Sequence, residues 1–186
     1  LMDGNMQLNI TYFTMDWNNY QLEVVDPSNL PCGSAGAYPA PQCGQPWQKV
    51  VADVGEASSD GLQLETLNAV GDNMEIGFNA QWVTAELDED LSDGSAPAGS
   101  RLPQVPEFKA NLWMDTAIDT QMMGSNEGFF RASVSYTGDT VSAVQPGSQF
   151  TQRSYKSIDV KYGLMGDDWE VNLFVNNLSD ERACLL

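Results

Sequence analysis

The 186 residues predict an all-β chain, an antiparallel meander of about seven long strands. Three observations predict it. Apolar and polar residues alternate with period two, as in Phe130, Ala132, Val134 and Tyr136 against Arg131, Ser133, Ser135 and Thr137. No capped run shows the 3.6-residue period of an amphipathic helix, and no run of 18 or more apolar residues occurs. Clusters of turn residues separate the alternating runs, with Gly71-Asp72-Asn73 and Gly166-Asp167-Asp168 the tightest.

The first strand starts near Met6, with Leu8, Ile10 and Tyr12 on one face and Gln7, Asn9 and Thr11 on the other. It is expected to continue past an irregularity at Asn18-Asn19 through Tyr20 to Val25. A proline-rich loop follows from Pro27 to Pro46, and a second strand resumes at Trp47 and runs through Val51, Val54 and Leu62 to Ala69. From Met74 to Leu87, Met74, Ile76, Phe78, Ala80 and Trp82 oppose Glu75, Gly77, Asn79 and Gln81. The acidic stretch Glu86 to Arg101 reads as a solvated loop, because its acids do not match the calcium-loop spacing. The prolines of Leu102-Pro103-Gln104-Val105-Pro106 suit a strand entry, and Phe108 to Ile118 repeats the alternation, with Trp113 breaking the polar row. Gly128 to Thr140, Tyr155 to Leu164 and Trp169 to Asn177 complete the set, joined by a turn from Asp119 to Glu127 and a loop from Val141 to Gln152.

Alternation alone also suits a half-buried strand of a soluble sandwich. Two further features favour a membrane barrel. Tyr136 ends one apolar row with Phe129 and Phe130 at its other end, and Trp82, Tyr162 and Trp169 stand near strand ends, as in the aromatic girdles of outer-membrane barrels. Long connections (27–46, 88–106, 141–152) alternate with shorter ones (71–73, 119–127, 165–168), the pattern of long extracellular loops and short periplasmic turns. Negative mean hydropathy does not oppose this reading, since only alternate residues meet lipid.

Composition narrows the function classes. A formal charge of -18, from 26 acids and 8 bases, argues against a nucleic-acid partner. The absence of histidine removes Ser-His-Asp and Cys-His catalysis and the commonest zinc ligand, so an enzyme is not expected and no cofactor or metal site is assigned. Cys32 and Cys43, with ten residues between them in a Gly/Ala/Pro-rich segment, suit a disulfide closing a surface loop in an oxidising compartment. Such a bond would contribute about 2 to 3 kcal/mol through loop-closure entropy. Cys184 is left over, and no export signal is visible at the start.

Three stretches resemble the barrel of the TonB-dependent outer-membrane receptors, towards its C-terminal end. They are Val54 to Glu65 with its Gly61-Leu62-Gln63-Leu64-Glu65 unit, the proline-rich entry Leu102 to Phe108, and Phe174-Val175-Asn176-Asn177-Leu178-Ser179-Asp180-Glu181-Arg182. The last resembles the asparagine-leucine-aspartate signature before the family's final strand, and Asp53 departs from the asparagine common in the family. The resemblance implies that residues 1–186 are a partial receptor barrel domain, an incomplete piece of a barrel of roughly 22 strands, with the plug domain and the final strand absent.

The resemblance further implies a location in the outer membrane of a Gram-negative bacterium, in contact with its lipid. It also implies active import of a scarce nutrient complex, such as a ferric siderophore or a cobalamin-like molecule, with TonB engaged through the missing N-terminal part. The alternatives are a passive outer-membrane channel and a soluble secreted β-sandwich binding module. Tyr38, Trp47 and Phe150 are candidate ligand contacts, and Arg101 and Arg153 are candidate partners for an anionic ligand. Girdle, packing and solvated-loop roles account better for each of these, so no ligand residue is assigned.

Overall fold

A computed structural model of the chain describes residues 5–25, 49–53, 55–91, 94–120, 127–146 and 149–183. Its main body is one seven-stranded antiparallel sheet of β1 (Met6–Trp17), β4 (Ala57–Val70), β5 (Met74–Leu87), β6 (Phe108–Ile118), β7 (Glu127–Thr137), β10 (Tyr155–Met165) and β11 (Glu170–Val175), paired in that order. Two small two-stranded sheets accompany it, β2 (Gln21–Val25) with β3 (Lys49–Asp53), and β8 (Thr140–Val141) with β9 (Thr151–Gln152). The meander of seven long strands is as the alternation predicts.

Register carries the period-two pattern across the sheet, so like residues meet. Leu8, Thr66, Phe78, Leu112, Val134 and Ile158 form one row, and Ile76, Met114, Ala132, Val160 and Val175 another. No second layer covers this face among the described residues: Ile10 is 64 % and Leu173 66 % exposed. A sandwich would bury such a face under a second sheet of comparable size; here the other sheets have two strands each. Near the long-loop end, Trp82, Phe108 and Tyr136 stack side by side, with ring centroids 5.0 and 5.9 Å apart. Towards the short-turn end, Phe130 and Tyr162 are register partners, so the face carries an aromatic row at each end.

Several details depart from the alternation. Phe129 does not share the apolar face with Phe130; it pairs with Gly163 on the opposite face, because neighbours in a strand point to opposite sides. The first strand breaks at Asn18-Asn19, and the second breaks at Gly55, whose φ of +100° turns the chain. Tyr20 N–H donates to the Gly55 carbonyl across this double break, and the outer segments pair separately as β2 and β3. The loop expected at 141–152 contains both partners of the β8–β9 hairpin's last rung, Val141 and Thr151.

The dry core lies at the loop end, where the ends of β4 and β5 meet the chain that follows them. Ala57, Ala85, Leu87, Leu91, Ala96, Leu102 and Val144 are buried together, with Trp17, Tyr20, Leu22, Val83 and Val105 against them. The acidic stretch after β5 is therefore folded back rather than wholly solvated. Leu102 N–H donates to Ala85 C=O and Leu87 N–H to Ser100 C=O, which returns the chain along the upper half of β5. Its acids serve the turn: Asp90 accepts from Ala98 N–H, Asp88 from the Ser58 hydroxyl and Glu89 from Glu56 N–H. Burial pushes the Tyr20 phenol above its ordinary value of 10.0.

Candidate functional site

The face opposite the apolar one is polar along nearly its whole length. Asn9, Glu65, Asn79, Asn111, Ser135 and Ser157 make one row across six strands, and Thr11, Gln63, Gln81, Lys109, Thr137 and Tyr155 make the next. A third row runs Glu75, Asp115, Arg131, Lys161, with Arg131 ion-paired to Asp115. Charges at mid-strand are tolerable in a membrane sheet only where they face water or protein, so this is the inner face of a barrel wall.

Aromatics on this face fill a specific need. Trp113 lies over Gly77, Phe13 over Gly61 and Phe129 over Gly163, each pair in direct register. A side chain at any of the three glycines would overlap the ring opposite. The ring covers backbone that glycine leaves bare, and this accounts for the break that Trp113 makes in the polar row. Lys161 Nζ stands 5.0 Å from the centre of the Phe129 ring, a cation–π contact.

Among the hollows on this face and at its loop end, three form a series in which each shares residues with the next. The first holds Gln63, Glu65, Asn79, Gln81, Lys109 and Asn111 in a space of about 290 Å³. The second, between Gln104, Pro106, Thr140 and Gln152, meets the first at Lys109 and Thr137. The third is a groove of about 570 Å³ between segments 150–155 and 181–183, and it meets the second at Gln152 and Tyr155. A polar track thus runs from the loop end down the inner face.

Arg101 fastens the rim of this track. Its Nε lies 3.0 Å from Glu107, and its Nη1 and Nη2 donate to the Asp139 carboxylate and carbonyl at 3.0 and 3.1 Å. Together with the Gln104 N–H bond to Val141 C=O, this ties the loop after β5 to the hairpin after β7. The 174–182 signature has a structural role at the other wall of the groove. Asn177 sits at φ +53°, a region that asparagine tolerates better than most residues. Its N–H donates to Asp159 at 2.8 Å, its Oδ1 accepts from Glu181 N–H, and its Nδ2 donates to Glu181 C=O, both at 2.9 Å.

Of the sequence candidates, Phe150 and Arg153 are brought together in the groove, while Arg101 is engaged by two carboxylates. Tyr38, Trp47, Cys32, Cys43 and Cys184 lie outside the described residues. Tyr155, Glu181 and Arg182 also line the groove and were not among the candidate ligand contacts. Only long-range folding brings residue 181 to residue 153, and no local pattern announces it.

One sheet with a girdled apolar face, a polar inner face and folded loops at one end defines the wall of an outer-membrane-type β-barrel. The chain belongs to the TonB-dependent receptor β-barrel family: residues 1–178 match the model described as "TonB dependent receptor-like, beta-barrel". Among solved structures it is similar to the ferric yersiniabactin uptake receptor FyuA from Yersinia pestis, with a TM-score of 0.72 and 19 % identity. That match covers 97 % of this chain and 23 % of the receptor, so the chain spans under a quarter of the length of its structural relative. No curated protein matches the sequence.

Proposed function

We propose that residues 1–186 are part of the barrel of a larger outer-membrane receptor of a Gram-negative bacterium, whose plug domain and final strand lie outside this sequence. In this reading the receptor imports a scarce nutrient complex, a ferric siderophore or a cobalamin-like molecule, and TonB drives the import through the plug-bearing N-terminal part. One observation carries it: the track of joined hollows leads from the loop end down a polar inner face, on a sheet whose other face is built for lipid. The family supports TonB coupling, and the uptake of ferric yersiniabactin named for the similar receptor supports a metal-chelate ligand.

The test is uptake in intact cells carrying the full-length gene, with radiolabelled ferric siderophores and cobalamin offered in turn, in strains with and without TonB. Accumulation of one of them that vanishes without TonB is the expected result. Accumulation that persists without TonB would mean a passive channel instead, and no accumulation of either class would overturn the substrate assignment.

A further inference from the structure

The groove between segments 150–155 and 181–183 has walls of opposite charge. One wall carries Arg153 with Phe150 and Tyr155; the other carries Glu181 and Arg182. Arg182 is 3.3 Å from Asp180, an exposed pair that leaves little net charge there. Neither Arg153 nor Glu181 has an ion-pair partner among the described residues, although they line the same groove. The Glu181 backbone is held at both its N–H and its C=O by the Asn177 side chain, so that wall is positioned without using the carboxylate. Phe150 is 52 % exposed, and its backbone is held by two hydrogen bonds with Ser142.

We propose that this groove binds a zwitterionic small ligand, one that carries a carboxylate for Arg153, an ammonium for Glu181 and an apolar body for Phe150 and Tyr155. The space of about 570 Å³ is of the size of small-molecule sites and holds a dipeptide-sized ligand. Long-range charge argues the same way. The net charge of -18 on these 186 residues repels anions and draws cations near this part of the barrel, whereas a zwitterion is steered by neither and is read at short range. The inference rests on the reading of the loop end as the ligand-facing mouth, and it narrows the nutrient to one bearing both charges at its recognised end.

The experiment measures binding to the purified full-length receptor in detergent, without TonB or energised membranes, so that it succeeds or fails independently of transport. The probes are glycyl-phenylalanine, its C-terminal amide and its N-acetyl form, followed by ligand-detected NMR or calorimetry. Glycyl-phenylalanine is expected to bind about fivefold more tightly than either blocked form, the scale of one exposed charge pair. Arg153→Gln should erase the discrimination against the amide, and Glu181→Gln the discrimination against the acetylated form. Lys156→Gln, on the row that continues the apolar face through Tyr136, should behave as the wild type. Equal binding of the three probes, no binding, or discrimination that survives both groove substitutions would overturn the proposal.

Discussion

Trp113 stands directly across from Gly77 on the neighbouring strand, and its indole occupies the space that a side chain at position 77 would need. Either residue alone would be a defect, an aromatic in a polar row or a glycine inside a strand. Together they close a gap in the wall. Gly77→Val is expected to cost about 1 to 3 kcal/mol by overpacking against the ring, and Trp113→Ala about 1 kcal/mol through loss of that cover. Equilibrium unfolding by urea from detergent micelles measures both. The pair is coupled if Trp113→Ala relieves most of the cost of Gly77→Val.

Leu112 and Asn111 test which face meets lipid. Leu112 is 48 % exposed on the apolar row, and Asn111 lies beside it on the polar row. Leu112→Arg is expected to lower stability in lipid vesicles by about 2 to 4 kcal/mol, and Asn111→Arg by far less. Equal losses would mean that both faces meet the same solvent.

Arg101 is expected to hold two loops as one body. Arg101→Gln leaves Glu107 and Asp139 beside each other without their cation, at a cost of about 1 kcal/mol for this partly exposed group. The readout is hydrogen exchange: the Gln104 amide, which bonds Val141, should exchange faster while amides of β5 and β6 keep their protection. Unchanged exchange at Gln104 would show that the buried Leu102–Val144 contact region suffices.

Asn177 separates backbone conformation from side-chain bonding. Asn177→Gly keeps φ +53° accessible but loses the two bonds to Glu181, and Asn177→Ala loses both advantages. Losses of about 1 to 2 kcal/mol are expected for glycine and about 1 kcal/mol more for alanine, read from unfolding midpoints. Alanine no worse than glycine would remove the conformational part of the argument.

Tyr20 sets an alkaline limit on the loop core. Its folded phenol ionises above 10.0 while the unfolded one ionises near it, so the unfolded chain releases the proton first as pH rises. The contribution of Tyr20 is complete below pH 10 and is lost as pH climbs through the raised folded value. Part of the phenolate absorbance should appear late, and Tyr20→Phe should remove that part.

The strands and their two faces were legible because alternation is local: Met74 to Leu87 and Tyr155 to Leu164 can each be read from a dozen neighbouring residues. The family was legible in the 174–182 signature, which proves to be a braced turn at Asn177. What escaped the sequence depends on partners far along the chain. The acidic stretch after Leu87 reads as solvated because its buried members, Leu91, Ala96 and Leu102, are spaced by polar residues and find their partners on β4 and in the 140s. The side on which Phe129 falls is a matter of register, and either member of Phe129-Phe130 can continue an apolar row until Gly163 is placed opposite. Glu181 and Arg153 come to line one groove only once β10 and β11 have paired.

The burial of Leu87, Leu102 and Val144 beyond the upper aromatic row divides the chain between two kinds of cohesion. The sheet is held by backbone pairing and by its surroundings, the rim by an ordinary waterproof core of the sort found in small aqueous proteins. Detergent exchange should disturb the first and spare the second, and heating should do the reverse. The near-ultraviolet dichroism of Trp17 beside Tyr20, 5.6 Å apart, would then fade at a lower temperature than the far-ultraviolet signal of the strands.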